Sequence, residues 1–247
     1  MSTEHGFEGY RTSIARVARE VIQAIAEENK TELSEAFANH LYDLDGPTTI
    51  ERRKSSNEEF FGKVFYGFME ISNSYESLND ISLYVRRFPY NEDSASRVRY
   101  LRYNVEAFLN EIYILKERLI SYARVIERYY KGTSREADVT KIIKPLYRIV
   151  SHNLKNIVDV RGHHLHVTRY SDGGLDKLSS LELVTIYGEL SQYRNYFIQE
   201  YRLERKKWSQ IIKNSNENIK INLDNYFEML FNVVFDSEAR LNYPEKL

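Results

Sequence analysis

The chain has 247 residues and a mass of 29.3 kDa, enough for one large domain or two small ones, and it has no cysteine, which excludes disulfides, thiolate metal sites and cysteine nucleophiles. With 35 Lys+Arg against 36 Asp+Glu the formal net charge is −1, so the chain is no bulk polyanion binder and any nucleic-acid contact has to be local. Only 4 Pro and 10 Gly, with 29% charged residues and 20 Tyr, leave long uninterrupted segments of the kind that form helices.

The first residues, MSTEHGFEGYRTS, have no apolar core of the kind a leader needs. The longest apolar runs, such as 231–235, fall far short of the roughly 20 residues that cross a bilayer. A cytoplasmic protein with no membrane contact is expected.

In chain order, Ile14, Val17, Ala18, Val21, Ile22, Ile25 and Ala26 recur at helical spacing and predict a first amphipathic helix ending near Asn29. A loop around Asp45-Gly46-Pro47 and a basic run, Arg52, Arg53 and Lys54, precede a second helix. Its wide aromatic face of Phe60, Phe61, Phe65 and Phe68 reads as core rather than as a base-stacking platform, and it extends to about Arg87. The stretch Phe88 to Asp93 is the clearest break, dividing an N-terminal helical region, 1–93, from a second region, 94–247.

From Ser96 to Tyr130 there is no Gly or Pro, and Leu101, Val105, Phe108, Ile112, Leu115, Leu119 and Ile126 track one face of a long central helix. Gly132-Thr133-Ser134 stops it. A further helix is expected from about Asp138, with Pro145 in its first turn. After a turn at Ser171 to Gly174, Ser179 with Glu182 suggests a capping box opening a helix that carries Leu183, Ile186, Leu190, Tyr193, Phe197 and Tyr201. Beyond the polar stretch 214–218, residues 219–235 supply a last helix or a continuation. No segment alternates with the period of a strand, so the expected class is all-α, an elongated bundle of long antiparallel helices.

The unusual constellation is Arg161-Gly162-His163-His164-Leu165-His166, at the end of an apolar helical pattern. An imidazole exchanges protons near neutral pH and a guanidinium holds a phosphate through two parallel hydrogen bonds, so the pair suits phosphodiester cleavage. Residues five apart sit about 140° apart on a continuous helix, so Arg161 and His166 converge only if the helix ends between them. Two other readings stay open. The three histidines can complement the carbonyl end of a helix, or His163 and His166 can share a face toward a metal. Glu111 and Arg118, seven residues apart on the central helix, are either supporting partners of this motif or members of an ion-pair ladder.

An Arg, four intervening residues and a His, following a long helix that reads Phe108-Leu109-Asn110-Glu111-Ile112-Tyr113-Ile114-Leu115-Lys116-Glu117-Arg118-Leu119, resembles the HEPN superfamily of nucleotide-binding helical domains, over about residues 96–205. The resemblance implies an HEPN-like domain in 94–247 and a metal-independent endoribonuclease with no cofactor. In it Arg161 and His166 are catalytic, and His163, His164, Glu111 and Arg118 support them. It further implies RNA as substrate, a homodimer with two facing motifs, and a toxin or phage-defence setting with an antitoxin or other operon partner. Gly162 follows the Arg where catalytic members usually carry Asn, Asp or His, so the same resemblance extends to a non-catalytic RNA-binding or dimerisation module.

Overall fold

A computed structural model describes residues 6–29, 55–88, 96–154, 172–188 and 190–245. It is an all-α helical bundle, with no strand among the described residues, built from α1 (Gly6–Asn29), α2 (Ser56–Arg86), α3 (Arg97–Tyr130), α4 (Glu136–Asn153), α5 (Gly173–Glu182) and α6 (Arg194–Val234). After α6 the chain turns back on itself, and Phe235 and Leu241 form an isolated antiparallel bridge.

Local chemistry sets several helix ends. Ser55 and Glu58 cap α2 reciprocally: the Glu58 N–H donates to Ser55 Oγ at 3.2 Å, and the Ser55 N–H donates to Glu58 Oε2 at 2.6 Å. Ser96 Oγ accepts from the Arg99 N–H at 3.0 Å and opens α3. Gly132, at φ +79°, ends α3 in the left-handed conformation that favours glycine.

The described chain divides into two compact units, one from Met1–Glu70, Arg118–Ile149 and Ile221–Leu247, the other from Ile71–Glu117 and Val150–Lys220. The boundary expected at residue 93 falls in 89–95, outside the described residues, and each unit draws on both sides of it.

The first unit is held by aromatic packing. Tyr10 lies 4.6 Å from Phe227 and 5.4 Å from Phe68, ring centre to ring centre, and its hydroxyl shares a 2.6 Å hydrogen bond with that of Tyr122. Tyr122 fits because position 67 is glycine: a Cβ there would stand 2.4 Å from the Tyr122 ring. Phe60, Phe61 and Phe68 are buried, so this face of α2 is core. The buried phenols stay hydrogen-bonded, with the Tyr226 hydroxyl donating to the Leu119 carbonyl at 2.7 Å and that of Tyr130 to Val233 at 2.9 Å. Burial pushes the Tyr10, Tyr122 and Tyr226 hydroxyls far above the ordinary phenol range and that of Tyr130 up to about 12.

The second unit packs mainly aliphatic faces, with Leu78 and Val85 of α2, Leu101 and Val105 of α3, and Leu175 and Leu178 of α5 all buried. Phe108, Phe197, Tyr201 and Trp208 are its buried rings. Asn216 lies inside α6 with its amide donating to the Leu78 carbonyl at 3.0 Å, so the polar stretch 214–218 continues one 41-residue helix.

Three expectations are corrected. Pro145 sits in the interior of α4, not its first turn, because the helix begins at Glu136, where the Glu136 carboxylate accepts the Gly132 N–H at 2.8 Å. Ser179 and Glu182 do not cap a helix start. Asp172 caps α5, accepting the Leu175 N–H, and Ser179 lies inside that helix with its hydroxyl donating to the Leu175 carbonyl at 3.0 Å. The helix expected through Leu183 to Tyr201 is interrupted. Leu183–Tyr187 widen into a π turn, Ser191–Tyr193 form a 3-10 turn, and α6 starts at Arg194. At Gly188 a Cβ would stand 2.6 Å from the Val184 carbonyl oxygen, so the tight closure after the π turn requires glycine.

Candidate functional site

Arg161, His163, His164 and His166 fall in 155–171, outside the described residues, as do Arg52, Arg53 and Lys54 in 30–54. What the structure describes is how the chain is anchored before and after the motif. On the near side, Val150 and Leu154 are buried at the end of α4. His152, in the last turn of that helix, is exposed.

On the far side α5 is clamped to two helices of its unit. Ser96 Oγ donates to Glu182 Oε2 at 2.6 Å, and six residues further along each helix the Arg102 guanidinium donates to Asp176 at 2.7 Å and to Ser179 at 3.2 Å. The two pairings run in opposite directions along the chain, so α5 lies antiparallel to the start of α3. Arg102 is 7% exposed, which makes its pairing a buried cation matched by a carboxylate at the surface. Toward α6, Lys177 reaches Glu200 at 2.7 Å, and Lys207 reaches Glu204 at 2.7 Å and Asp172 at 3.8 Å. The hydrogen bond that Lys177 donates to Glu200 raises the ammonium above its ordinary range and lowers the carboxylate below its own. Gly174 faces the Glu204 carboxylate so closely that a Cβ would lie 2.3 Å from its carbon.

The two supporting residues on the long helix are both described. Arg118 pairs with Glu70 of α2 at 2.6 Å, an ion pair whose side chains are a third and more than half exposed, so it contributes little to stability. Glu111 is half-buried on α3 and belongs to the second unit, whereas Arg118 belongs to the first. Among the described residues no group of His, Asp and Glu could hold a metal ion, and no helix is long and apolar enough to cross a membrane.

One feature escaped the sequence reading. Leu183 and Tyr193, expected on a buried face, are 61% and 48% exposed, because the π turn and the break before α6 change the face they present. With Leu181, Val184, Thr185 and Tyr196, Tyr193 lines an open, almost wholly apolar pocket of about 580 Å³. Among the described residues the buried Thr185 hydroxyl has no hydrogen-bond partner. The signal available in the sequence was Gly188 in the middle of the supposed helix. No family model, curated protein or solved structure matches the chain.

Proposed function

We propose that the chain acts on RNA as a metal-independent endoribonuclease of the HEPN type, with Arg161 and His166 as its reacting pair. The observation that carries the reading is the Arg-x4-His spacing, placed in sequence between α4 and α5 of an all-α bundle and preceded by the 34-residue α3. His166 takes the proton of a ribose 2′-hydroxyl, whose oxygen attacks the adjacent phosphorus, and the bond to the 5′-oxygen breaks. Arg161 stabilises the charge that gathers on the phosphoryl oxygens in the transition state. The second motif of a homodimer supplies the proton for the departing 5′-oxygen. A second reading, a non-catalytic RNA-binding or dimerisation module, is favoured by Gly162 beside Arg161.

His166→Ala is expected to lower RNA cleavage by on the order of 10²- to 10⁴-fold while RNA binding is retained. Cleavage by the parent protein is expected to persist in EDTA and to leave 2′,3′-cyclic phosphate ends. Binding without cleavage selects the module, and activity equal in parent and variant removes His166 from the site.

A further inference from the structure

We infer that one end of the second unit, where the close of α2, the start of α3 and the α5–α6 junction meet, is a surface for single-stranded RNA, with phosphates on Arg87 and Arg99 and bases on Tyr193 and Tyr196. The inference rests on the reading of the chain as RNA-acting and goes beyond it by naming a surface outside the Arg161–His166 segment.

The convergence is geometric. Phe88, just past α2, stacks edge-on against Tyr100 of α3 with ring centres 5.4 Å apart, and the Arg97 guanidinium lies 5.3 Å over the Phe88 ring. Ser96, which caps α3, donates to Glu182, the residue directly before the π turn. On α6, the Tyr201 hydroxyl feels the charges of Arg97 and Arg205. The ends of four helical segments are thus brought to one place.

The charge at this place runs against local helix electrostatics. A helix N-terminus carries roughly half a positive charge, which carboxylates stabilise. The first turn of α3 instead holds Arg97 and Arg99 and no acidic residue. Arg86 and Arg87, at the carbonyl end of α2, are ordinary for that position, but they add to the same end. Glu182 offsets part of this charge, and Glu92 and Asp93, next in sequence, lie outside the described residues. Arg87 and Arg99 are exposed and enter no ion pair among the described residues. Two exposed guanidinium groups on one end of a unit are placed to take the charge of a polyphosphate backbone.

Exposed aromatic rings stand on the same helical segments. Tyr103, 68% exposed, follows Arg99 by four residues and shares its face of α3. Tyr193, in the turn before α6, and Tyr196, in its first turn, are 48% and 44% exposed and line the 580 Å³ pocket, a volume within the range of sites that seat a small planar group, and the Lys177 ammonium lies 5.5 Å over the Tyr196 ring and adds a cation beside it. The pocket offers rings and aliphatic carbons and almost no polar atoms, so it selects a flat face rather than a hydrogen-bonding edge. Bases stack on such rings irrespective of sequence, and only unstacked, single-stranded bases can do so.

The test measures binding of a fluorescent single-stranded RNA to the full chain in the His166→Ala background, so that the RNA stays intact, across a range of salt. Arg87→Gln with Arg99→Gln is expected to flatten the slope of log K against log salt by about 1.4, or about 0.7 per phosphate contact on a single strand. Tyr193→Ala with Tyr196→Ala is expected to weaken binding by roughly tenfold or more with the slope unchanged, and Tyr193→Phe with Tyr196→Phe to restore it. Arg19→Gln with Lys141→Gln, two exposed cations of the other unit, should leave slope and affinity as they were. Circular dichroism confirms that each variant is folded. RNA binding that is intact in both the arginine and the tyrosine variants overturns this surface and leaves the proposed function standing. A parent that neither binds nor cuts RNA removes both. Tyrosine variants that change the oligomeric state but not RNA affinity assign the face to a second copy of the chain and overturn the inference.

Discussion

The two units solve the same packing problem with different side chains. The first buries rings, with Phe7, Tyr10, Phe68, Tyr122 and Phe227 in mutual contact, and keeps the buried hydroxyls of Tyr10, Tyr122, Tyr130 and Tyr226 on a neighbouring hydroxyl or carbonyl. The second packs leucine and valine faces and relies on polar clamps, Arg102 with Asp176 and Ser96 with Glu182, to set where α5 lies. Rings give large contact area with few rotatable bonds, which suits a core that needs only to be stable. Aliphatic packing with polar clamps leaves Tyr103 and Tyr193 facing outward, and Tyr196 exposed with the Lys177 ammonium 5.5 Å over its ring. The unit with the aliphatic core is the one that exposes these rings.

The strongest challenge to this contrast is Phe227→Ala, which removes the ring shared by Phe7, Tyr10, Phe68 and Tyr122. A loss of about 3–5 kcal/mol is expected on denaturation followed by tyrosine near-ultraviolet dichroism. Trp208, the single tryptophan, is buried in the other unit, so its fluorescence reports that unit separately. A variant that moved only the Trp208 signal would contradict the assignment of Phe227 to the aromatic core.

Alkaline pH separates the cores by chemistry. Tyr10, Tyr122, Tyr226 and Tyr130 keep their protons in the folded state above the pH at which the unfolded chain releases them. Their contribution is therefore complete below about pH 10 and is lost as pH climbs toward the folded values, by about 1.4 kcal/mol per pH unit for each phenol. Unfolding curves taken at rising pH should show this decline together with tyrosinate absorption that appears only on unfolding. Tyrosinate absorption from these phenols in the folded protein near pH 10 would refute the buried network.

The smallest effect probes the clamps. Arg102→Met keeps the length of the side chain but removes its bonds to Asp176 and Ser179, and because Asp176 is half-exposed its carboxylate returns to water. A loss of about 1–2 kcal/mol in chemical denaturation is expected. No loss would mean that Leu175 and Leu178 alone hold α5 in place.

Helix identity was legible wherever periodicity was long and uninterrupted. Residues 97–130 show this best, because an apolar stripe without Gly or Pro has no competing conformation. Ends that depend on tertiary partners were not legible. Glu182 looks like the second half of a capping box, yet its carboxylate serves Ser96 on another helix. Leu183 and Tyr193 fit a buried stripe only while the helix is unbroken, and the π turn changes the face they present. Of the candidate site, the residue types and their spacing could be read from sequence. Arg161, His163, His164 and His166 lie outside the described residues, and the exposed tyrosines at the start of α6 depend on backbone geometry that periodicity does not encode.

The antiparallel clamping of α5 has a consequence for how this chain tolerates change. Ser96 with Glu182 and Arg102 with Asp176 fix α5 against α3 through two bonds at matched spacing. A slip by one turn would break both and would pull Leu175 and Leu178 out of the core. The placement of α5 is therefore set by its own side chains and not by the length of chain that leads into it. Residues can be gained, lost or exchanged between Leu154 and Asp172 without passing a register error on to the bundle.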